Sequence, residues 1–176
     1  MILIADVQYG ETNWAAGLVY DHWKADKPRH VYRVDVGPVD EYQPGEFYRR
    51  ELPALMKIIE GSVPVTTVVI DGYVNLPDRP GLGAHLHFAT GLPVLGIAKK
   101  YYEGTDLSAG VLRGKSEKPL WVTAVGVDNP QQIVRELPGQ YRLPEWVKLA
   151  DQIARGYGIS GEHTGLSRRS RGFESR

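Results

Sequence analysis

The chain has no cysteine. That excludes disulfides and every thiolate metal centre, and it fits a reducing compartment. It has no apolar run near the roughly 20 residues that span a bilayer, so no membrane partner is expected. It has no surplus of charge, since 21 Lys and Arg stand against 21 Asp and Glu. That argues against a protein held to nucleic acid by bulk charge alone and leaves room for a local basic groove. There is no internal repeat and no heptad seam, and a monomer is expected. No basic segment with an apolar stretch follows Met1, which predicts a cytoplasmic protein rather than a secreted one. The 176 residues, 42% of them hydrophobic, suit one domain with a real core.

Elements alternate along the chain. "ILIADVQ" (Ile2 to Gln8), "WAAGLVYDHW" (Trp14 to Trp23) and "RHVYRVDVG" (Arg29 to Gly37) read as three strands joined by short turns, an antiparallel meander. Residues 42–61 hold a helix closed by Gly61. Pro53 suits a first turn better than an interior, so that helix is expected to start near Leu52, or earlier with a kink. "VTTVVID" is a buried strand, "PGLGAHLHFATGL" a helix ended by Gly91, and "PVLGIAKK" another buried strand. "SAGVLRG" and "KPLWVTAVGV" pair as a hairpin. Two helices follow, one with Asn129 as N-cap and Pro130 at its first position, the other with Trp146, Leu149 and Ile153 on one face. The expected domain covers residues 1–158, and residues 159–176 read as a disordered basic tail. This order predicts an α/β fold, a mixed sheet flanked by helices, with ligands gathering outside the strand ends.

Three acids stand out. Asp6 lies near the end of the first strand, and Asp71 ends the fourth. If those strands are parallel neighbours, both carboxylates leave the sheet at one edge, and Glu51 on the intervening helix could reach them. Carboxylates without Cys or a His cluster form a hard oxygen site suited to Mg²⁺ or Mn²⁺. Such sites bind phosphates and activate water. Spacing alone leaves another reading open, with Asp6 and Asp71 serving turns and Glu51 a solvated helix charge.

The motifs "IADV", "YQPGEFYRRELPAL", "VVIDG", "GLGAHL", "LPVLGIAKK" and "YRLPEWVKLAD" occur in this order over residues 2–155. Together they resemble the endonuclease V family. The resemblance implies a ribonuclease H-like fold and Mg²⁺-dependent hydrolysis of the second phosphodiester bond 3′ to inosine or deoxyinosine, in nucleic-acid repair or processing, with DNA or RNA as partner. It implies Asp6, Glu51 and Asp71 as metal-binding acids, with Mn²⁺ able to substitute for Mg²⁺, and Lys99 beside them on a phosphate. "YQPG" is similar to the family's wedge, where Tyr42 stacks on a base and Pro44 stiffens the loop. Gly45 and Gly72 match positions whose backbone lies against the extruded base. Without the family, Tyr42 reads as a surface aromatic. His85 also matches, as a histidine supporting the site or simply packing in the core.

The chain departs from the family pattern in places. Aligning Pro119 and Asn129 puts Gly126 where the family's "GHR" histidine stands, with Asp128 the nearest substitute. Val74 replaces a usual glycine, with consequences expected for the base pocket. Two functions follow as expectations: an active endonuclease, or a weakened relative that binds nucleic acid without efficient cleavage.

Overall fold

Residues 1–38 and 47–157 of this computed structural model are described. Tyr42, Pro44 and Gly45, and the tail expected over residues 159–176, lie outside them. The apolar, β-branched runs form the strands β1 (Ile2–Gln8), β2 (Trp14–Tyr20), β3 (His30–Asp35), β4 (Thr67–Asp71), β5 (Val94–Ala98), β6 (Gly110–Val111) and β7 (Leu120–Val125). They build one sheet in the order β3-β2-β1-β4-β5-β7-β6. The meander is antiparallel as expected, and β1, β4 and β5 run parallel to one another. β7 returns antiparallel along β5. The expected hairpin is short, because β6 contributes only Gly110 and Val111 to it.

Among the described residues, four α-helices flank the sheet: α1 (Phe47–Gly61), α2 (Leu82–Thr90), α3 (Pro130–Glu136) and α4 (Glu145–Ala154). Side chains alternate faces along a strand, so Gly17 and Tyr20 point to opposite sides of β2. A Cβ on Gly17 would stand 2.6 Å from Ile58 of α1 and 3.0 Å from Leu3, so the missing side chain lets α1 lie close on that face. Tyr20 stacks on Trp146 of α4 at 3.8 Å on the other face, and the Trp146 Nε1 donates to the Ala25 carbonyl at 2.8 Å. The sheet is thus covered on both sides, and its central strands are buried runs rather than alternating ones.

Of the two starts expected for α1, the earlier one holds: it begins before Leu52, and Pro53 sits inside it. Pro53 lies on the exposed face of the helix. One local expectation is corrected. Asn129 stands at the start of α3 but makes no side-chain cap; it adopts the left-handed conformation, φ 51°, which asparagine tolerates. α2 ends as read, with Gly91 at φ 74° and its N–H on the His87 carbonyl.

Candidate active site

β1 and β4 are registered from Ile2↔Thr67 to Ala5↔Ile70. Asp6 and Asp71 are the next residues on the two strands, so they reach the same sheet edge. In parallel strands, level residues also point to one side. Asp6 is mostly buried, and its carboxyl is pushed up from 3.8 to about 7, first by burial and then by the charges of Asp71 and Asp151. Glu51, 9% exposed on α1, is pushed from 4.5 to about 7, again mainly by burial, with Asp6 and Asp71 adding to it. The fold therefore brings the three acids within each other's electric field.

Two neighbours of this cluster escaped the sequence reading. Tyr9, three residues beyond Asp6, has an enclosed hydroxyl with no hydrogen-bond partner; it lies against Glu51 without closing a bond, and burial raises its ionisation well above the usual range. The Arg50 guanidinium stacks 3.8 Å over the Tyr9 ring. Asp151 is the second omission. α4 packs across β1 and β2 and carries Asp151 close enough to raise Asp6. Its partner is Arg155, one turn on, at 3.0 Å. The signal was in hand, since Asp151 closes the "YRLPEWVKLAD" segment.

Beyond β5, the Lys99 Nζ stands 3.2 Å from the Asp71 Oδ2. Arg142 fixes the backbone there by donating to the carbonyls of Lys99 (2.6 Å), Lys118 (2.9 Å) and Pro119 (3.0 Å). A cavity of about 480 Å³ opens beside the acids, with Asp71, Lys99, Tyr48, Tyr73 and Tyr102 in its wall. Gly72 lines it too, at φ 141°, a backbone state that suits glycine alone. His85 stacks on Tyr48 at 3.6 Å, and burial lowers its basicity.

Other expected site residues are placed elsewhere. Val125 pairs with Val94 at the start of β5, whereas Asp71 pairs with Ile97 near its end. Gly126 accordingly packs beside Pro93. It and the exposed Asp128 sit at the opposite sheet edge from the acids, roughly 13 Å away along the strands at ~3.3 Å per residue. Asp128 is not brought to the cluster. Val74 turns into the core, with its N–H on the Thr123 Oγ1 at 2.8 Å, and it does not line the cavity.

The oxygen-only donor set suits a hard divalent cation. Buried carboxylates held near pH 7 by burial and mutual repulsion are what such a charge would relieve. As placed, no three His, Asp or Glu side chains of the described residues form a ready cage. The carboxylates fit an ion by charge and donor type.

The family model for Endonuclease V matches residues 1–120 of the chain. Against the endonuclease V of Azotobacter vinelandii the chain is 34% identical over 137 residues, 64% of this chain and 62% of that protein. Against that of Xanthomonas campestris pv. campestris it is 31% identical over 172 residues, 82% and 71% of the two chains. The chain spans about six-tenths of the length of the first curated relatives it matches. Among solved structures, Streptomyces avermitilis endonuclease V aligns with a TM-score of 0.67 at 27% identity, covering 88% of this chain and 79% of that one. Ciona intestinalis endonuclease V, in complex with a 24mer DNA containing an inosine followed by a ribo-adenosine, aligns with a TM-score of 0.74, covering 88% and 84%. At 19% identity that second likeness concerns the fold.

Proposed function

Since the chain belongs to the endonuclease V family, we propose that it is a metal-dependent endonuclease that hydrolyses a phosphodiester bond on the 3′ side of inosine or deoxyinosine. The observation that carries this is the gathering of Asp6, Glu51 and Asp71, with Lys99, at the edge of a cavity walled by tyrosines. The Ciona relative is bound to inosine-containing DNA, and the same class of partner suits this cavity. Aromatic walls accept a base by stacking once it has left the helix.

Asp6, Glu51 and Asp71 would hold Mg²⁺, or Mn²⁺ in its place. Such an ion supplies Lewis-acid stabilisation of phosphate oxygens and lowers the pKa of water. The protein's own groups do the rest. Burial keeps Asp6 and Glu51 short of water, so their charge acts at low local dielectric, while the more exposed Asp71 faces the cavity. Lys99, which pairs with Asp71 at 3.2 Å, would place its ammonium on a phosphate oxygen near the scissile bond. Arg142 keeps the Lys99 backbone in place as this happens. Gly72 presents bare backbone to the base, where donors and acceptors can distinguish the O6 and N1–H of hypoxanthine from adenine.

Gly126 lies at the far edge of the sheet, and the alternative of a relative that binds without efficient cleavage is decided by the same assay as the proposal. The test is cleavage of an inosine-containing oligonucleotide with Mg²⁺ or Mn²⁺, compared with Asp71→Ala. Wild-type cleavage that the variant loses is expected. Absence of wild-type cleavage with both metals overturns the proposal.

A further inference from the structure

Tyr9 and Arg50 form a unit that the hydrolytic reading does not use. Their polar atoms are the buried side-chain atoms left without a hydrogen-bond partner among the described residues, the Tyr9 hydroxyl and the Arg50 Nε. Enclosing a donor without an acceptor is unfavourable, and phenylalanine would fill the same space without that cost. The hydroxyl is nevertheless present, and it faces Glu51, itself 9% exposed and next to Arg50 on α1. The guanidinium lies 3.8 Å over the ring, so the tyrosine is held between α1 and the end of β1. The same strand carries Asp6 three residues earlier. The ring therefore bridges the two elements that supply Glu51 and Asp6.

We propose that Tyr9 is a positioning residue: its hydroxyl donates to the Glu51 carboxylate and aims it toward Asp6 and Asp71 when a cation is held, while Arg50 fixes the ring. This rests on the reading of the three acids as an ion site. The hydroxyl already lies against Glu51, so a small turn of the carboxylate gives the hydroxyl the acceptor it lacks. A positioning hydroxyl of this kind governs how tightly the ion is held more than how the chain folds.

The experiment is a double-mutant cycle on the full chain without nucleic acid, measuring Mn²⁺ affinity by calorimetry for wild type, Tyr9→Phe, Glu51→Gln and the pair. Tyr9→Phe should weaken Mn²⁺ about tenfold, while the thermal midpoint of the chelated protein rises as the cost of the unpartnered hydroxyl is removed. In the Glu51→Gln background the same change should have no effect, which a packing role would not produce. Arg50→Met should act like Tyr9→Phe, and the two should not add. Wild-type Mn²⁺ binding with Tyr9→Phe unaltered, or weakened equally in both backgrounds, overturns the role of Tyr9 and leaves the ion site standing. Failure of the wild type to bind Mn²⁺ removes the site and this proposal with it.

Discussion

Replacing Asp6 with asparagine should make the cation-free protein more stable at alkaline pH while weakening its function. The Asp6 carboxyl moves from 3.8 to about 7 on folding, so the folded state binds its proton more tightly than the unfolded chain does. The sign follows. Below about pH 4 both states are protonated and there is no penalty; as pH rises toward 7 the unfolded chain ionises freely and the folded one resists, so stability falls. Above about pH 7 the loss is complete, and at 1.36 kcal/mol per pH unit it amounts to about 4 kcal/mol. Asparagine cannot ionise, but its buried amide keeps a cost of roughly 1–3 kcal/mol. Asp6→Asn should therefore gain ~1–3 kcal/mol over wild type at about pH 8 and lose ~1–3 kcal/mol at about pH 4, where the wild-type carboxyl carries no charge. Urea unfolding with a chelator at the two pH values reads this directly. Saturating Mn²⁺ should reverse the order at the higher pH, because only the wild type has the full charge to offset. A variant less stable than wild type at alkaline pH, or a wild type equally stable at both, refutes the reasoning.

Other outcomes follow from the same geometry. Mn²⁺ affinity should tighten between about pH 6 and 8, as Asp6 and Glu51 lose protons near 7, and calorimetry at stepped pH checks it. Lys99→Met should lower kcat about 100-fold on an inosine oligonucleotide, with Mn²⁺ binding to the protein alone retained. Arg142→Met leaves three carbonyls without their donor; it should cost ~1–3 kcal/mol in urea unfolding and lower kcat through Lys99. Gly17→Val forces a side chain against Ile58 and should destabilise by ~1–3 kcal/mol.

The strands carrying Asp6 and Asp71 are legible in the sequence because β-branched runs ending in an acid have few other homes. Their parallel pairing was the condition that placed the two acids together, and β1 and β4 meet it. Glu51 is less legible: a lone helix acid looks solvated until α1 is laid on the sheet. Asp151 was hidden for a similar reason, since an Asp and an Arg four residues apart resemble a surface pair until α4 docks over β1. Gly126 misled because chain order does not reveal strand direction. β7 runs back along β5, so the residue after it surfaces far from the acids. Val74 misled in the same manner, its side chain taking the core rather than the cavity. In each case a long-range packing choice, absent from local pattern, decided the outcome.

The partnership of β1 with β4 joins the first residues to a segment some 65 positions later, as the bond from Thr66 to the Met1 carbonyl illustrates. Until that distant segment arrives, the opening three-stranded ribbon has a bare, strongly apolar flank along Ile2–Ala5. A growing polypeptide exposes this flank throughout the synthesis of α1, which makes the interval a period of vulnerability to self-association. Closing so large a loop also sets a slow pace for refolding, and the apparatus that depends on Asp6 and Asp71 meeting is assembled only when that closure is achieved.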